Sequence, residues 1–166
     1  SMGDDFGYSV AIDGNTIVVG AYLDDDGGSA SGSAYVFRTT DGGATYGQVA
    51  KLTASDAAGD DEFGRSVAIA DGTIVVGANQ YRYSGGGAVY VFSTSDGGVT
   101  YVQMAKLTAS DAAMGDYLGY SLAIDGSTVV IGAPQDDIGT AIGGSNRGSA
   151  YVFALPAPTD YAETAK

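Results

Sequence analysis

The residues best equipped for chemistry in this chain are acids grouped on glycine-rich stretches. Asp24-Asp25-Asp26, followed by Gly27-Gly28, and the pair Asp136-Asp137 place hard oxygen donors close together on pliant backbone. That donor set suits Ca²⁺ or Mg²⁺, so Ca²⁺ is the cofactor such loops would take, with Asp24, Asp25, Asp26, Asp136 and Asp137 as ligands. The competing reading is solvation, because exposed loops carry charge and neither cluster has EF-hand spacing. Solvation is preferred, since the equivalent loop of a second repeat, Asn79-Gln80-Tyr81-Arg82-Tyr83, holds no acid. There Tyr81, Arg82 and Tyr83 make a candidate contact patch, as Tyr and Arg are enriched at interfaces. A solvated loop that carries two tyrosines is the equal alternative.

Other chemistries are closed by composition. The 166 residues include no His and no Cys, which removes Ser-His-Asp catalysis, thiolate nucleophiles, zinc hydrolysis and haem ligation by those side chains. A carboxylate enzyme such as a glycosidase needs two acids about 5–10 Å apart in a cleft, and no spacing here marks such a pair. The expectation is therefore a non-enzymatic protein. Its formal charge of −13 opposes nucleic acid and anionic lipid and favours basic partners. No stretch approaches the roughly 20 apolar residues of a membrane span, so membrane insertion is not expected. Gly27-Gly28, Gly85-Gly86-Gly87 and Gly143-Gly144 precede strand-like runs and lack the Lys-Ser or Lys-Thr of a phosphate loop.

What must position these loops is a repeat of about 55 residues, present three times. Asp4-Asp5-Phe6-Gly7-Tyr8-Ser9-Val10-Ala11-Ile12 returns at 61–69 and 116–124, and Thr16-Ile17-Val18-Val19-Gly20-Ala21 at 73–78 and 128–133. Gly32-Ser33-Ala34-Tyr35-Val36-Phe37 returns at 87–92 and 148–153. A fourth phrase, Tyr46 to Thr53, recurs at Tyr101 to Thr108, and its opening is echoed by Tyr161 to Lys166. The units run over about 4–59, 60–114 and 115–166.

Each phrase is apolar, β-branched or aromatic and is bounded by Gly and Asp, the mark of a strand. The short turns at Asp13-Gly14-Asn15, Asp71-Gly72 and Asp125-Gly126-Ser127 supply the positive φ of tight hairpins. The chain is thus all-β: three four-stranded antiparallel meanders. Near-continuous apolar runs such as Thr16 to Ala21 require cover on both faces, and radial stacking of four-stranded sheets provides it. The expected architecture is therefore three β-propeller blades. Tyr35, Tyr90 and Tyr151 with Phe37, Phe92 and Phe153 then read as packing between blades. A β-solenoid fits less well, because its coils are shorter and lack Asp-Gly hairpins.

Phe6-Gly7 with Gly20-Ala21, Phe63-Gly64 with Gly77-Ala78, and Leu118-Gly119 with Gly132-Ala133-Pro134 resemble FG-GAP repeats. The resemblance implies one propeller blade per repeat, as in integrin α subunits. It also implies a binding or adhesion role and an extracellular or cell-surface location. Integrin-type calcium blades carry an Asp-x-Asp-x-Asp-Gly-like loop between the first two strands. Asp13-Gly14-Asn15 and its equivalents are too short to offer the 6–8 oxygens Ca²⁺ takes, so that site does not carry over.

In such meanders, thirteen of the 20 acids fall in loops at one end of the blades. This acidic face is the expected surface for a cation or a basic, protein or glycan partner, including a calcium-dependent or lectin-like one. Asp4, Asp61 and Asp116 recur two residues before Phe or Leu and are expected to cap the turn into the first strand through backbone N–H groups. Three blades cannot close a ring, since propellers have about 4–8. The expected partner is a second copy, a homodimer completing a six-bladed ring; the alternative is an open piece of a longer propeller.

Overall fold

A computed structural model describes residues 3–79, 85–137 and 147–156. The first sheet has strands β1 (Ser9–Asp13), β2 (Thr16–Ala21), β3 (Ser33–Arg38) and β4 (Gly47–Leu52), paired in that order. The second has β5 (Phe63–Ala70), β6 (Thr73–Ala78), β7 (Ala88–Ser93) and β8 (Val102–Leu107). The third has β9 (Ser121–Asp125), β10 (Thr128–Ala133) and β11 (Ser149–Ala154). All pairings within the sheets are antiparallel, and the chain is all-β among the described residues, consistent with three propeller blades. The fourth strand expected at Tyr161–Lys166 lies outside them.

The turns follow from local chemistry. Asp71 and Gly72 both take positive φ (50° and 77°), closing β5 on β6 in two residues. In the longer turn from β3 to β4, the Asp41 carboxylate accepts hydrogen bonds from the Thr39 hydroxyl (2.7 Å), the Thr45 hydroxyl (2.6 Å) and the Thr45 amide (2.9 Å). Thr94, Asp96 and Thr100 repeat this before β8. The donors hold both carboxyls well below the usual range, the Thr45 and Thr100 hydroxyls contributing most.

Sheets stack face to face, and the first strands meet: β1 packs on β5 and β5 on β9. One apolar cluster joins Val18, Val36 and Leu52 of the first blade to Phe63, Ile74, Tyr90 and Phe92 of the second. Another joins Val75, Val89 and Val91 to Leu118, Val129, Ile131 and Phe153. Tyr90, Phe92, Tyr151 and Phe153 are thus packing residues between blades, whereas Tyr35 and Phe37 stand against Phe6 of their own blade. Phe63 stands edge-on to Tyr90 and Phe92, with ring centroids 5.5 and 6.0 Å away.

The joint between blades is built of backbone. A Cβ on Gly20 would lie 2.0 Å from the Gly64 carbonyl oxygen, and one on Gly77 would lie 2.3 Å from that of Gly119. Only glycine admits this approach. The same carbonyls accept hydrogen bonds from Ser9 Oγ (2.8 Å) and Ser66 Oγ (2.5 Å). Isolated parallel bridges, Gly32 to Phe63 and Gly87 to Leu118, complete each joint.

Candidate functional site

A bulge places the central residue of the site. Phe63 pairs with Ala78 and Ser66 with Gly77, so Gly64 and Arg65 are extruded from the β5–β6 ladder. Gly64 takes φ +93°, and the residue before Phe63, Glu62, is also left-handed at +56°. Arg65 thereby leaves its own sheet at the end where the first strands converge. Its guanidinium carbon lies 5.3 Å from the ring centre of Tyr8, 4.9 Å from Tyr22 and 5.9 Å from Tyr120. These distances fall within cation–π range, and Nη1 also pairs with Glu62 Oε2 at 2.8 Å.

All three blades contribute. Tyr8, Arg65 and Tyr120 occupy one repeat position, directly after Phe-Gly or Leu-Gly, and Tyr22, Asn79 and Pro134 occupy another, directly after Gly-Ala. Tyr8 and Tyr22 lean on each other with centroids 4.5 Å apart, while Tyr8 and Tyr120 stay half exposed. Burial, then a hydrogen bond from Tyr22 to Asp5, pushes the Tyr22 phenol pKa up, so it stays a neutral donor.

Beside Arg65 is a cavity of about 330 Å³ lined by Arg65, Asn79, Tyr117, Tyr120, Pro134 and Gln135. Asn79 is 1% exposed, and neither its Oδ1 nor its Nδ2 has a hydrogen-bond partner; Arg65 Nε is also buried without one. An unmet buried polar group costs about 1–3 kcal/mol, so these groups are poised for a ligand that supplies a donor and an acceptor.

The acids singled out from the sequence are engaged otherwise. Asp24 is buried and accepts from the Tyr35 hydroxyl (2.7 Å), Lys51 Nζ (3.0 Å) and the Asp26 amide (3.1 Å). Burial alone would raise its pKa, but these donors together pull it below the ordinary value. Asp26 pairs with the same Lys51, and Asp25 Oδ1 takes the Ala30 amide at 2.8 Å. Asp136 accepts the Tyr151 hydroxyl (2.7 Å), whereas Asp137 is exposed. Among the described residues no group of three or more acids is placed to hold a metal ion. Tyr81, Arg82 and Tyr83 lie outside the described residues.

The repeated acids serve the blade. Asp61 Oδ2 accepts the Ala58 amide (2.7 Å) and Asp116 Oδ2 the Ala113 amide (2.6 Å), capping the approach to the first strand. Asp4 is half-buried at the corresponding place, with its carbonyl toward the Leu23 amide. The Asp116 pKa is raised, by burial first and then by Asp136, Asp137 and Asp111.

A second acid series ties one blade to the next. Asp56, after β4, accepts from the Tyr90 hydroxyl (2.8 Å) and Lys106 Nζ (2.7 Å) of the second blade. Asp111, after β8, lies 2.8 Å from the Tyr151 hydroxyl of the third and shares its single proton with Asp136.

The FG-GAP repeat family model matches residues 1–37, 46–92 and 101–153. The chain belongs to the FG-GAP repeat family. No curated protein matches it. The FG-GAP glycines are the interblade joints: Gly64 and Gly119 from the Phe-Gly or Leu-Gly half face Gly20 and Gly77 from the Gly-Ala half of the preceding blade. FG-GAP repeats build interaction modules of propeller type, and the family is generally extracellular. No helix among the described residues is long and apolar enough to cross a membrane.

Sequence reasoning missed the Arg65 cluster because it looked for function in the loops that carry acids or tyrosines. The available signal lay inside the repeated phrases. Within phrases repeated almost letter for letter, the residues after Phe-Gly and Gly-Ala change.

Proposed function

We propose that this FG-GAP chain is a non-enzymatic, extracellular interaction module that binds a protein partner at the Arg65 cluster, in an adhesive or cell-surface setting. The observation that carries the reading is the unpaired carboxamide of buried Asn79 beside Arg65, flanked by half-exposed Tyr8 and Tyr120. A peptide group offers a C=O and an N–H together, which matches Asn79, and an apolar side chain beside it would lie on a tyrosine face. Tyr and Arg are also the residues that dominate protein interfaces.

The test is surface plasmon resonance against a panel of extracellular-matrix proteins, each immobilised before and after enzymatic deglycosylation. Arg65→Ala and Tyr120→Ala serve as site variants, with circular dichroism as the control for folding. Binding that survives deglycosylation and falls about 10-fold or more in both variants supports the proposal. Binding abolished by deglycosylation moves the site to glycan recognition, and binding indifferent to both substitutions removes the cluster from the function.

A further inference from the structure

The blade stack ends in two unlike apolar faces. Phe63 and Leu118 are fully buried against the preceding blade, whereas Phe6, at the same repeat position, is 57% exposed. Val10 is likewise open at 66%, where Val67 is buried. At the other end the pattern inverts. Val36 and Val91 are buried by the following blade, while their equivalent Val152 is 68% exposed, and Val130 is open where Val18 and Val75 are buried.

The backbone joint is open in the same complementary way. Gly64 and Gly119 meet the preceding blade, but a Cβ on Gly7 would touch nothing within 4 Å. Gly20 and Gly77 meet the following blade, but a Cβ on Gly132 would meet only Ser121 of its own blade. Each open face is therefore the missing half of an interface that the chain already makes twice.

We propose that these faces bind head to tail between two copies of this chain, closing a six-bladed ring. Complementarity argues for a second copy as the occupant. The face with Val130 and Val152 fits a Phe-Gly edge, and the other end of the same chain carries one. Gly148 of one copy would bridge to Phe6 of the other, as Gly32 does to Phe63, and Ser121 Oγ would donate to the Gly7 carbonyl, as Ser9 Oγ does to that of Gly64. A head-to-tail contact closes or polymerises according to its rotation. Two copies give six blades, inside the known propeller range of about 4–8, whereas three would give nine.

Multi-angle light scattering on the full chain decides it. The mass expected at tens of micromolar is about 33 kDa, twice the 16.6 kDa of one chain. Phe6→Asp blocks one face and Val152→Asp the other. Val152 and Phe6 are both more than half exposed in the single chain, Phe6 keeping edge contacts with Tyr35 and Phe37; with circular dichroism as the control for folding, each change should weaken association about 100-fold or more by burying an unpaired charge. Each variant alone should run as a monomer. An equimolar mixture should recover the 33 kDa species through the one intact pair of faces. A wild-type monomer, a single variant that still dimerises, or masses climbing past 33 kDa with concentration would overturn the proposal.

Discussion

Replacing Gly77 with alanine tests the interblade joint directly, because Gly132 provides a built-in control. Both glycines occupy the same place in the second strand of a blade, but only Gly77 has a following blade packed on it. A Cβ at Gly77 would sit 2.3 Å from the Gly119 carbonyl oxygen and 3.1 Å from its carbon, where ordinary contact begins at 3.4 Å. The sheets must therefore part by about 1 Å, and overpacking of this kind costs about 1–3 kcal/mol. The added methyl also displaces Ser66 Oγ, whose hydrogen bond to the same carbonyl contributes about 1 kcal/mol. Set against the gain of about 0.5–1 kcal/mol from replacing any strand glycine, the expected loss is about 1–3.5 kcal/mol, or roughly 2–14 °C in Tm for a domain of this size. At Gly132 the only close atom is Ser121 Oγ, which can rotate away. The gain of about 0.5–1 kcal/mol from replacing a strand glycine offsets that adjustment, so Gly132→Ala should lie within about 1 kcal/mol of its parent. Urea and thermal unfolding, followed by circular dichroism in a Val152→Asp background chosen to block the proposed association, gives both values. Equal losses in the two variants, or no loss at Gly77, would refute close backbone packing as the basis of the joint.

Three further outcomes follow from the electrostatics. Asp24, Asp41, Asp56 and Asp96 all have pKa values below the ordinary 3.8. The stability they contribute is present above about pH 4 and is lost as pH falls through their folded values, Asp116 opposing in part; a Tm that is flat from pH 6 to pH 2 would contradict this. Burial first, then Asp56, pushes the Tyr90 phenol up to about 12. Its stabilisation should therefore be lost between about pH 10 and 12, and in an ultraviolet titration Tyr90→Phe should remove one phenol from that late region and not from the ordinary one. Millimolar CaCl₂ should leave Tm unchanged, since Lys51 already pairs with Asp24 and Asp26; a rise of several degrees would restore the cation reading.

The strands and their order were legible because each turn is local chemistry. Asp71-Gly72 and the Thr39–Asp41–Thr45 network fold without reference to distant residues. The start of the first strand was less so. The phrase from Asp4 reads as strand, yet β1 begins at Ser9 and β9 at Ser121, because Asp5, Gly7, Tyr117 and Gly119 take positive φ. Cover on both faces was correctly inferred for β2 and β6. In β10, of nearly identical sequence, burial alternates, because no described blade follows it. The Arg65 cluster was invisible for a geometric reason: its members are near only once three blades converge. At the acid clusters the sequence shows the carboxylates of Asp24 and Asp26 but not that Lys51, 27 and 25 residues away, lies on them.

The glycine joint has a consequence for how such chains vary. Its close contacts are carbonyls, glycines and a serine hydroxyl, and none of these groups distinguishes one blade from another. Blade order is then free of any matching code, so units could be duplicated, exchanged or circularly permuted without redesigning a seam. The residues beside the joint, Tyr8, Arg65 and Tyr120, stand just outside that constraint. Shuffling blades would therefore reassort the recognition surface while leaving the assembly geometry unchanged.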